Sequence, residues 1–233
     1  MSLTNHLKKS GYDLIQSPVR NHKLLQLWNK KAFDEISYYY EQVSEAFNSP
    51  IQLDVVKNTA LSVNATQQEN YSFNIGVTIL QTLLQTLGLG ALQIDAHIKS
   101  GKKITISYDH SITKEVPLGK IDEYFAAADF KHRNPQLLKN ANRNNLHIIN
   151  GVLYASSLAV EIDTDFNITA DLVAELNNIA GVKAAFQKSA TQKLKMTSEG
   201  NESYPIAVKA YKLAFVVGKY KKAILVTDTK NHF

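Results

Sequence analysis

Apolar and polar side chains alternate along several stretches of this chain, and two of these stretches are long. Residues 145–163 place one apolar series on one side and smaller or polar groups on the other, the apolar series being Val152, Tyr154, Leu158, Val160 and Ile162. A second long run covers 204–217, and a third follows at 220–227 after a turn at Gly218-Lys219. A period of two is typical of strands that bury one face. The sequence therefore predicts a substantial β-sheet.

A shorter pair of alternating runs lies on either side of Ser100-Gly101. Leu92, Ile94, Ala96 and Ile98 alternate with polar residues before this turn, and Ile104, Ile106 and Tyr108 do so after it. The pattern predicts a β-hairpin with one apolar and one polar face. Leu194 and Met196 likewise alternate with lysines and predict a further strand.

Helical periodicity separates these runs. Residues 71–94 carry no charged side chain, but polar groups such as Gln81 and Gln85 interrupt them. An amphipathic helix over 73–89 is therefore favoured over a membrane-spanning helix of about 20 residues. Further helices are predicted at 3–10, 118–129 and 169–187, and residues 131–145 are predicted to be an exposed polar connection. With no linker dividing the chain, one α+β domain is expected.

Composition excludes several chemistries. The 233 residues include no cysteine, which rules out disulfides, thiolate metal sites and thiol nucleophiles. No phosphate-binding glycine loop, nucleophile elbow or zinc-protease motif occurs, and the seven histidines are scattered. We therefore expect no enzyme activity, no metal and no cofactor. Because no apolar run follows the first lysines, a secretory signal is not expected, and a cytoplasmic location is the default.

The net charge favours an acidic partner. A formal charge of +5 and an isoelectric point near 9.1 are compatible with a nucleic acid or an anionic bilayer. The one aromatic cluster, residues 38–40, is flanked by Glu35, Glu41 and Glu45, which disfavours a polyanion there. A nucleic acid partner is therefore not expected.

Four segments, taken in order, carry a family resemblance. They are HLKKSGYDLIQSP at 6–18, SFNIGVTILQTLLQTLGLGALQIDAHIKSGKKITISYDHSI at 72–112, IDEYFAAADF at 121–130 and LHIINGVLYASSLAVEID at 146–163. In this order they resemble the entry segment, the amphipathic helix with the first inserting hairpin, the following helix and the start of the second inserting region of the bacterial gasdermins.

The resemblance implies a fold like the gasdermin N-terminal domain, α+β, with a twisted, mainly antiparallel sheet and surrounding helices. Residues 1–226 would form this pore-forming domain and 227–233 a short C-terminal tail. It also implies a resting monomer restrained by its C-terminal segment, cleavage by a protease, assembly into a homo-oligomer, and membrane rupture that kills an infected cell. The family usually carries a lipidated N-terminal cysteine, whereas Ser2, Leu3 and Thr4 occupy that neighbourhood here.

Two sets of residues are expected to meet the membrane. Spanning strands need about 9 to 11 residues with alternating faces, and the apolar residues that satisfy this requirement are Leu92, Ile94, Ala96, Ile98, Ile104, Ile106, Val152, Tyr154, Leu158, Val160, Leu194, Met196 and Val208. Anionic lipid headgroups are expected to contact lysines, namely Lys8, Lys9, Lys30, Lys31, Lys102 and Lys103.

Three other interpretations stay open on the sequence. Alternating hairpins are common in ordinary soluble proteins, where they form half-buried sheets. A module with the same fold that binds lipid or a partner without inserting is a second alternative. A nucleic-acid-binding protein is the third, and it rests on charge alone.

Overall fold

The described part of the chain comprises residues 7–15, 22–30, 36–58, 73–74, 104–131, 134–164, 167–181, 184–198 and 204–228 of a computed structural model. In chain order its strands are β1 (Asp13–Leu14), β2 (Leu27–Asn29), β3 (Ser37–Tyr40), β4 (Phe47–Asn48), β5 (Val56–Asn58), β6 (Phe73–Asn74), β7 (Ile104–Glu115), β8 (Asp129–Phe130), β9 (Leu146–Asp163), β10 (Ala184–Ala190), β11 (Lys193–Ser198), β12 (Tyr204–Val216) and β13 (Lys219–Leu225). The helices are α1 (Val43–Ala46), α2 (Leu118–Ala126), α3 (Pro135–Asn142) and α4 (Ala170–Ala180).

The 18-residue strand β9 is the centre of the main sheet. Along one edge it pairs with β2 at residues 146–148 and with β7 at 151–162. Along the other edge it pairs with β12 at 147–155 and with β11 at 159–163. All four pairings are antiparallel. The predicted α+β fold with a mainly antiparallel sheet is confirmed, as is the long strand at 145–163.

The middle of β9 is more deeply covered than its sequence pattern indicates. Val152 on one face and Leu153 on the other are both completely buried, and Ala155 is buried as well. The expectation of smaller or polar groups on the second face is therefore wrong at this point. Leu153 is opposite Thr113 of β7 and Ala207 of β12, which are also buried, so the sheet packs on both sides here.

Helices α2 and α4 agree with the sequence pattern in position and differ from it at their ends. Helix α2 buries Ile121, Tyr124 and Phe125 as predicted, and ends three residues early because residue 129 belongs to β8. Helix α4 is capped by the Thr169 hydroxyl, which accepts from the Leu172 amide, and it ends at Ala180 rather than 187. Gly181, with φ of 58°, follows it, and the predicted last turn is instead the start of β10.

Two predictions about the connections are corrected. Residues 131–145 are not wholly an exposed connection, because helix α3 lies within them and buries Leu137 and Ala141. The side chain of Asn134 caps this helix by accepting from two backbone amides. The predicted helix at 73–89 begins with β6, which pairs with β7, and the rest of that segment lies outside the described residues.

Aromatic packing joins the helices to the sheet. The ring of Phe47 contacts those of Phe125 on α2, Phe130 on β8 and Phe215 on β12, with centroids 5.0 to 5.9 Å apart. A second buried cluster lies around Trp28, Ile149, Val152, Val208 and Ala210. Leu27 and Trp28 are buried in these clusters, and Leu24 and Leu25 pack against them. These two clusters hold β9 and β12 in place.

Candidate membrane-inserting site

The predicted membrane-inserting residues share one face of the sheet wherever the structure describes them. Strands β7 and β9 pair without a register shift from Ile104 opposite Ile162 to Glu115 opposite Gly151. Register then places Met196 of β11 opposite Val160. Since paired residues of neighbouring strands occupy the same face, the alternating apolar series shares one face of the sheet. The register also puts His110 opposite Ser156 and Lys114 opposite Val152 in this series, so the face is mainly but not wholly apolar.

This surface faces the protein interior in the described conformation. Five of its members are completely buried, namely Val152, Val160, Leu194, Met196 and Val208, and Tyr154 is half-buried. Ile104, Ile106 and Leu158 lie on the predicted strands. Leu92, Ile94, Ala96 and Ile98 lie outside the described residues. The sequence pattern thus identified a real apolar face, and its insertion into a membrane stays a prediction.

The lysines predicted to contact lipid are not one patch in the described residues. Lys8 forms a salt bridge with the buried carboxylate of Asp13, with Nζ 3.5 Å from Oδ1. Lys9 is exposed and Lys30 is half-buried. Lys31, Lys102 and Lys103 lie outside the described residues. Lys8 is therefore engaged in the fold in this conformation, and lipid contact at the other lysines stays a prediction.

A polar row crosses the centre of the sheet and was missed in the sequence. Glu115 of β7 and Lys209 of β12 both lie opposite Gly151 of β9. Because Gly151 has no side chain, the Lys209 ammonium reaches over it to within 3.7 Å of the Glu115 carboxylate. A Cβ at this position would lie 3.1 Å from Lys209 Cβ and 3.2 Å from Glu115 Cγ. A glycine inside an apolar strand was the available signal of such a close approach.

The N-terminal segment completes this row. The hydroxyl of Tyr12 donates a hydrogen bond to Glu115, and the Lys209 ammonium lies 5.7 Å from the centroid of the Tyr12 ring. Burial, followed by the Glu115 hydrogen bond and charge, raises the pKa of the Tyr12 phenol well above its ordinary value. Tyr12 is therefore a neutral donor at physiological pH. We call Tyr12, Glu115 and Lys209 the clasp.

Both ends of the described chain meet beside the clasp. Strand β1 pairs with β12, with Asp13 opposite Val208. The Thr227 hydroxyl donates to the Gly11 carbonyl and accepts from the Ala210 amide, so it joins the N-terminal segment to β12. Thr227, the first residue of the predicted tail, is completely buried.

Helix α4 is hydrogen-bonded to one edge of the sheet through the side chain of Asn177. The amide group of Asn177 accepts from the Phe186 backbone N–H at 2.7 Å and donates to the Phe186 carbonyl at 2.9 Å. These two bonds satisfy the backbone N–H and carbonyl of Phe186 on β10, as a neighbouring strand would. Among the described strands β10 pairs with β11 only, so α4 lies where the sheet would otherwise continue.

Two further features bear on function. Within the described ranges no helix has the length and hydropathy needed to cross a membrane. The same ranges contain no group of three or more histidine, aspartate or glutamate residues arranged to hold a metal ion.

Comparison with known proteins identifies the family. The Bacterial Gasdermin Family matches the chain over residues 15–227. Gasdermin bGSDM of Vitiosangium sp. (strain GDMCC 1.1324) is 21% identical over 218 residues, which cover 92% of this chain and 81% of that protein. Gasdermin bGSDM of a Desulfuromonadales bacterium is 18% identical over 218 residues, covering 92% of this chain and 82% of that protein.

A solved structure shares the fold. The bacterial gasdermin from Bradyrhizobium tropiciagri superposes with a TM-score of 0.54 at 15% sequence identity, covering 94% of this chain and 89% of that one. At this identity the likeness concerns the fold alone. Because the family match extends over most of the sequence, this chain belongs to the bacterial gasdermin family.

Proposed function

We propose that this chain forms pores in a membrane after release from a restrained resting state, by inserting β-hairpins as an assembled homo-oligomer. Gasdermins are pore-forming proteins and not enzymes, which fits the absence of catalytic motifs from the sequence. The observation that carries the proposal is the apolar face formed by β7, β9, β11 and β12. Its strands are in register, and its members Val152, Val160, Leu194, Met196 and Val208 are buried at rest.

Strand length supports the proposal. A membrane-spanning strand requires about 9 to 11 residues with alternating faces. Strands β7, β9 and β12 contain 12, 18 and 13 residues and exceed this requirement. The same strands therefore serve in both states, with their apolar face turned inward at rest and toward lipid in the pore.

The two states compete for one set of side chains. In water the apolar face must stay covered, since a contiguous exposed patch of several hundred Å² promotes aggregation. In a bilayer the same side chains are stable only when they face lipid. Insertion therefore requires contacts that hold the sheet in its resting arrangement to open. The contacts that we propose to restrain it are the clasp, at the centre of the sheet, and the Asn177 contact, at its β10 edge.

Release is proposed to be proteolytic, with cleavage in the segment 227–233 by a partner protease. Thr227 supports this position, because it joins β12 to the N-terminal segment where the tail begins. Before cleavage the protein is a cytoplasmic monomer that has not inserted into a membrane, and after cleavage it is an inserted oligomer in the cell membrane. Anionic lipids are the proposed target, and the resulting cell death serves antiviral defence.

Dye release from liposomes tests the proposal. The full chain and the chain trimmed within 227–233 are added to vesicles of phosphatidylcholine with phosphatidylglycerol that contain a self-quenched dye. We expect the trimmed protein to release the dye and the full chain to leave it enclosed. Binding of the trimmed protein without release would instead favour the alternative function, a non-inserting module that binds lipid or a partner.

A further inference from the structure

The turn between β12 and β13 carries an apolar residue in an unfavourable conformation. Val216 pairs with Lys219, and the two residues between them, Val217 and Gly218, have φ of 50° and 74°. Positive φ at both positions is the requirement of a type I′ hairpin turn, for which Asn-Gly is the preferred sequence. A β-branched residue with positive φ is rare because its side chain crowds the backbone. The Val217 side chain is also 87% exposed.

Two asparagine side chains fix the backbone of this turn by hydrogen bonds. Asn142, at the end of α3, accepts from the Gly218 amide at 2.7 Å, and Asn144 accepts from the Phe215 amide at 2.9 Å. Val217 is therefore presented on a fixed turn. Valine with a positive φ destabilises the turn, whereas burial of its side chain against an apolar partner would contribute favourable free energy that the free protein does not gain.

The solvent face of the same hairpin alternates cations with apolar groups. Register pairs Lys212 with Ile224, Ala214 with Lys222, and Val216 with Lys219. Ile224 and Val216 are exposed, with 36% and 56% of their surface accessible. No salt bridge joins these three lysines to a carboxylate of the described residues. On the opposite face of β13, Tyr220 donates to Asp122 of α2, so that acidic group belongs to the core side.

From these observations we propose that the solvent face of the β12–β13 hairpin, with Val217 at its tip, docks the folded protein onto an anionic bilayer. Lysines at this face meet lipid phosphates, while Val216, Val217 and Ile224 enter the headgroup region. Lysines on an edge strand also prevent edge-to-edge pairing, but that role does not account for valine at the turn. A nucleic acid surface would combine cations with stacking aromatics or arginine, which this face lacks.

The docking surface is separate from the inserting face. It is exposed while Val152, Val160, Met196 and Val208 of the inserting face are buried, so docking precedes rearrangement and does not require cleavage. The choice of an anionic bilayer as the partner rests on the proposed pore function, but the docking surface is proposed for the intact chain. Binding and leakage are therefore measured separately on the same vesicles.

The test is co-sedimentation of the full chain with vesicles of phosphatidylcholine alone and of phosphatidylcholine with phosphatidylglycerol. We expect binding to the anionic vesicles only, weakened by salt. The double variant Lys219→Gln/Lys222→Gln should bind about fivefold more weakly for each lysine removed. The matched control, Lys188→Gln/Lys195→Gln, removes two exposed lysines of β10 and β11 and should bind like the wild type.

The variant Val217→Asn distinguishes a loss of membrane binding from a loss of folding stability. Asparagine suits positive φ, so this variant should melt at a higher temperature than the wild type and still bind anionic vesicles about fivefold more weakly or worse. Wild-type binding by either the Val217 or the lysine variant overturns the proposal, as does an equal loss in the control.

The same variants distinguish the bilayer from two other possible occupants of this face, a nucleic acid and a second copy of the chain. A mobility shift of duplex DNA or RNA that depends on Lys219 and Lys222, without vesicle binding, overturns the proposal in favour of nucleic acid. Self-association in lipid-free solution that Val217→Asn abolishes overturns it in favour of a second copy of the chain. Vesicle binding without dye release by the trimmed protein contradicts the pore function alone and leaves the docking surface supported.

Discussion

Tyr12 donates a hydrogen bond to the carboxylate of Glu115, which lies 103 positions further along the chain. The bond passes over Gly151 of β9, and the ammonium of Lys209 on β12 lies 3.7 Å from the other oxygen of the same carboxylate. One side chain of the N-terminal segment thereby contacts groups on two strands that flank the centre of the sheet. If those strands rearrange on insertion, the clasp must open.

Removal of the Tyr12 hydroxyl tests the clasp. Tyr12→Phe keeps the ring and leaves Glu115 without its phenolic donor, so the free energy of unfolding should fall by about 1 to 3 kcal/mol. Urea unfolding followed by circular dichroism measures the change. Tyr38→Phe is the matched control, because Tyr38 also donates to a carboxylate, that of Glu41, but is exposed and local in sequence. An equal effect of both variants would contradict a special role of Tyr12.

Gly151 is expected to tolerate no side chain. Gly151→Ala places a methyl group about 3 Å from Lys209, Tyr12 and Glu115, and should destabilise the fold by about 1 to 3 kcal/mol through overpacking. Gly119→Ala on α2 meets nothing within 4 Å and should be neutral or stabilising by up to about 1 kcal/mol. Thermal unfolding of both variants measures the contrast, and a stable Gly151→Ala protein would rule out the close approach.

Alkaline pH should weaken the fold through two phenols, one buried (Tyr12) and one half-buried (Tyr220). Burial, and then hydrogen bonds to Glu115 and Asp122, raise the pKa of Tyr12 and of Tyr220 above the ordinary value. Because the folded-state pKa is raised, this stabilisation is complete below about pH 10, where unfolded tyrosine titrates, and is lost as pH rises toward the folded-state pKa.

Urea unfolding from about pH 8 to about pH 11, roughly two units below to one unit above the ordinary tyrosine pKa, measures this dependence. The free energy of unfolding should be nearly constant in the lower part of the range and fall above about pH 10. The double variant Tyr12→Phe/Tyr220→Phe should lose less over the same interval. An unchanged slope in that variant would assign the alkaline sensitivity to other groups.

The sequence predicted the strands because alternation is a local property. Residues 145–163 and 204–217 were placed to within one residue, and the apolar series containing Val160 and Met196 proved to share a face. The clasp was not predictable in this way, since Tyr12, Glu115 and Lys209 meet only after three strands are in register. Helix α3 was missed because it has few apolar residues. Residues 184–187 of β10 were predicted to be helical because Gly181, which follows the last residue of α4, was interpreted as an interior position of the helix.

The first predicted hairpin offers a test of which face meets lipid. Ile98→Lys places a charge on its apolar face and should abolish dye release by the trimmed protein, because a lysine near the bilayer midplane costs roughly 2 to 4 kcal/mol. His97→Lys, on the polar face, is the control and should retain release. Both positions lie outside the described residues, so the result depends on the alternating pattern alone. A similar loss in both variants would show that this segment does not insert as an amphipathic strand.

Asn177 is expected to restrain release of helix α4 from the sheet. Asn177→Ala leaves the N–H and carbonyl of Phe186 without partners and should lower the free energy of unfolding by about 1 to 3 kcal/mol. Since α4 then separates from β10 more easily, hydrogen exchange at the Phe186 amide and dye release by the trimmed protein should both become faster. Asn178→Ala changes the adjacent, exposed asparagine and should alter neither rate. Faster exchange with unchanged leakage would show that opening this edge does not limit pore formation.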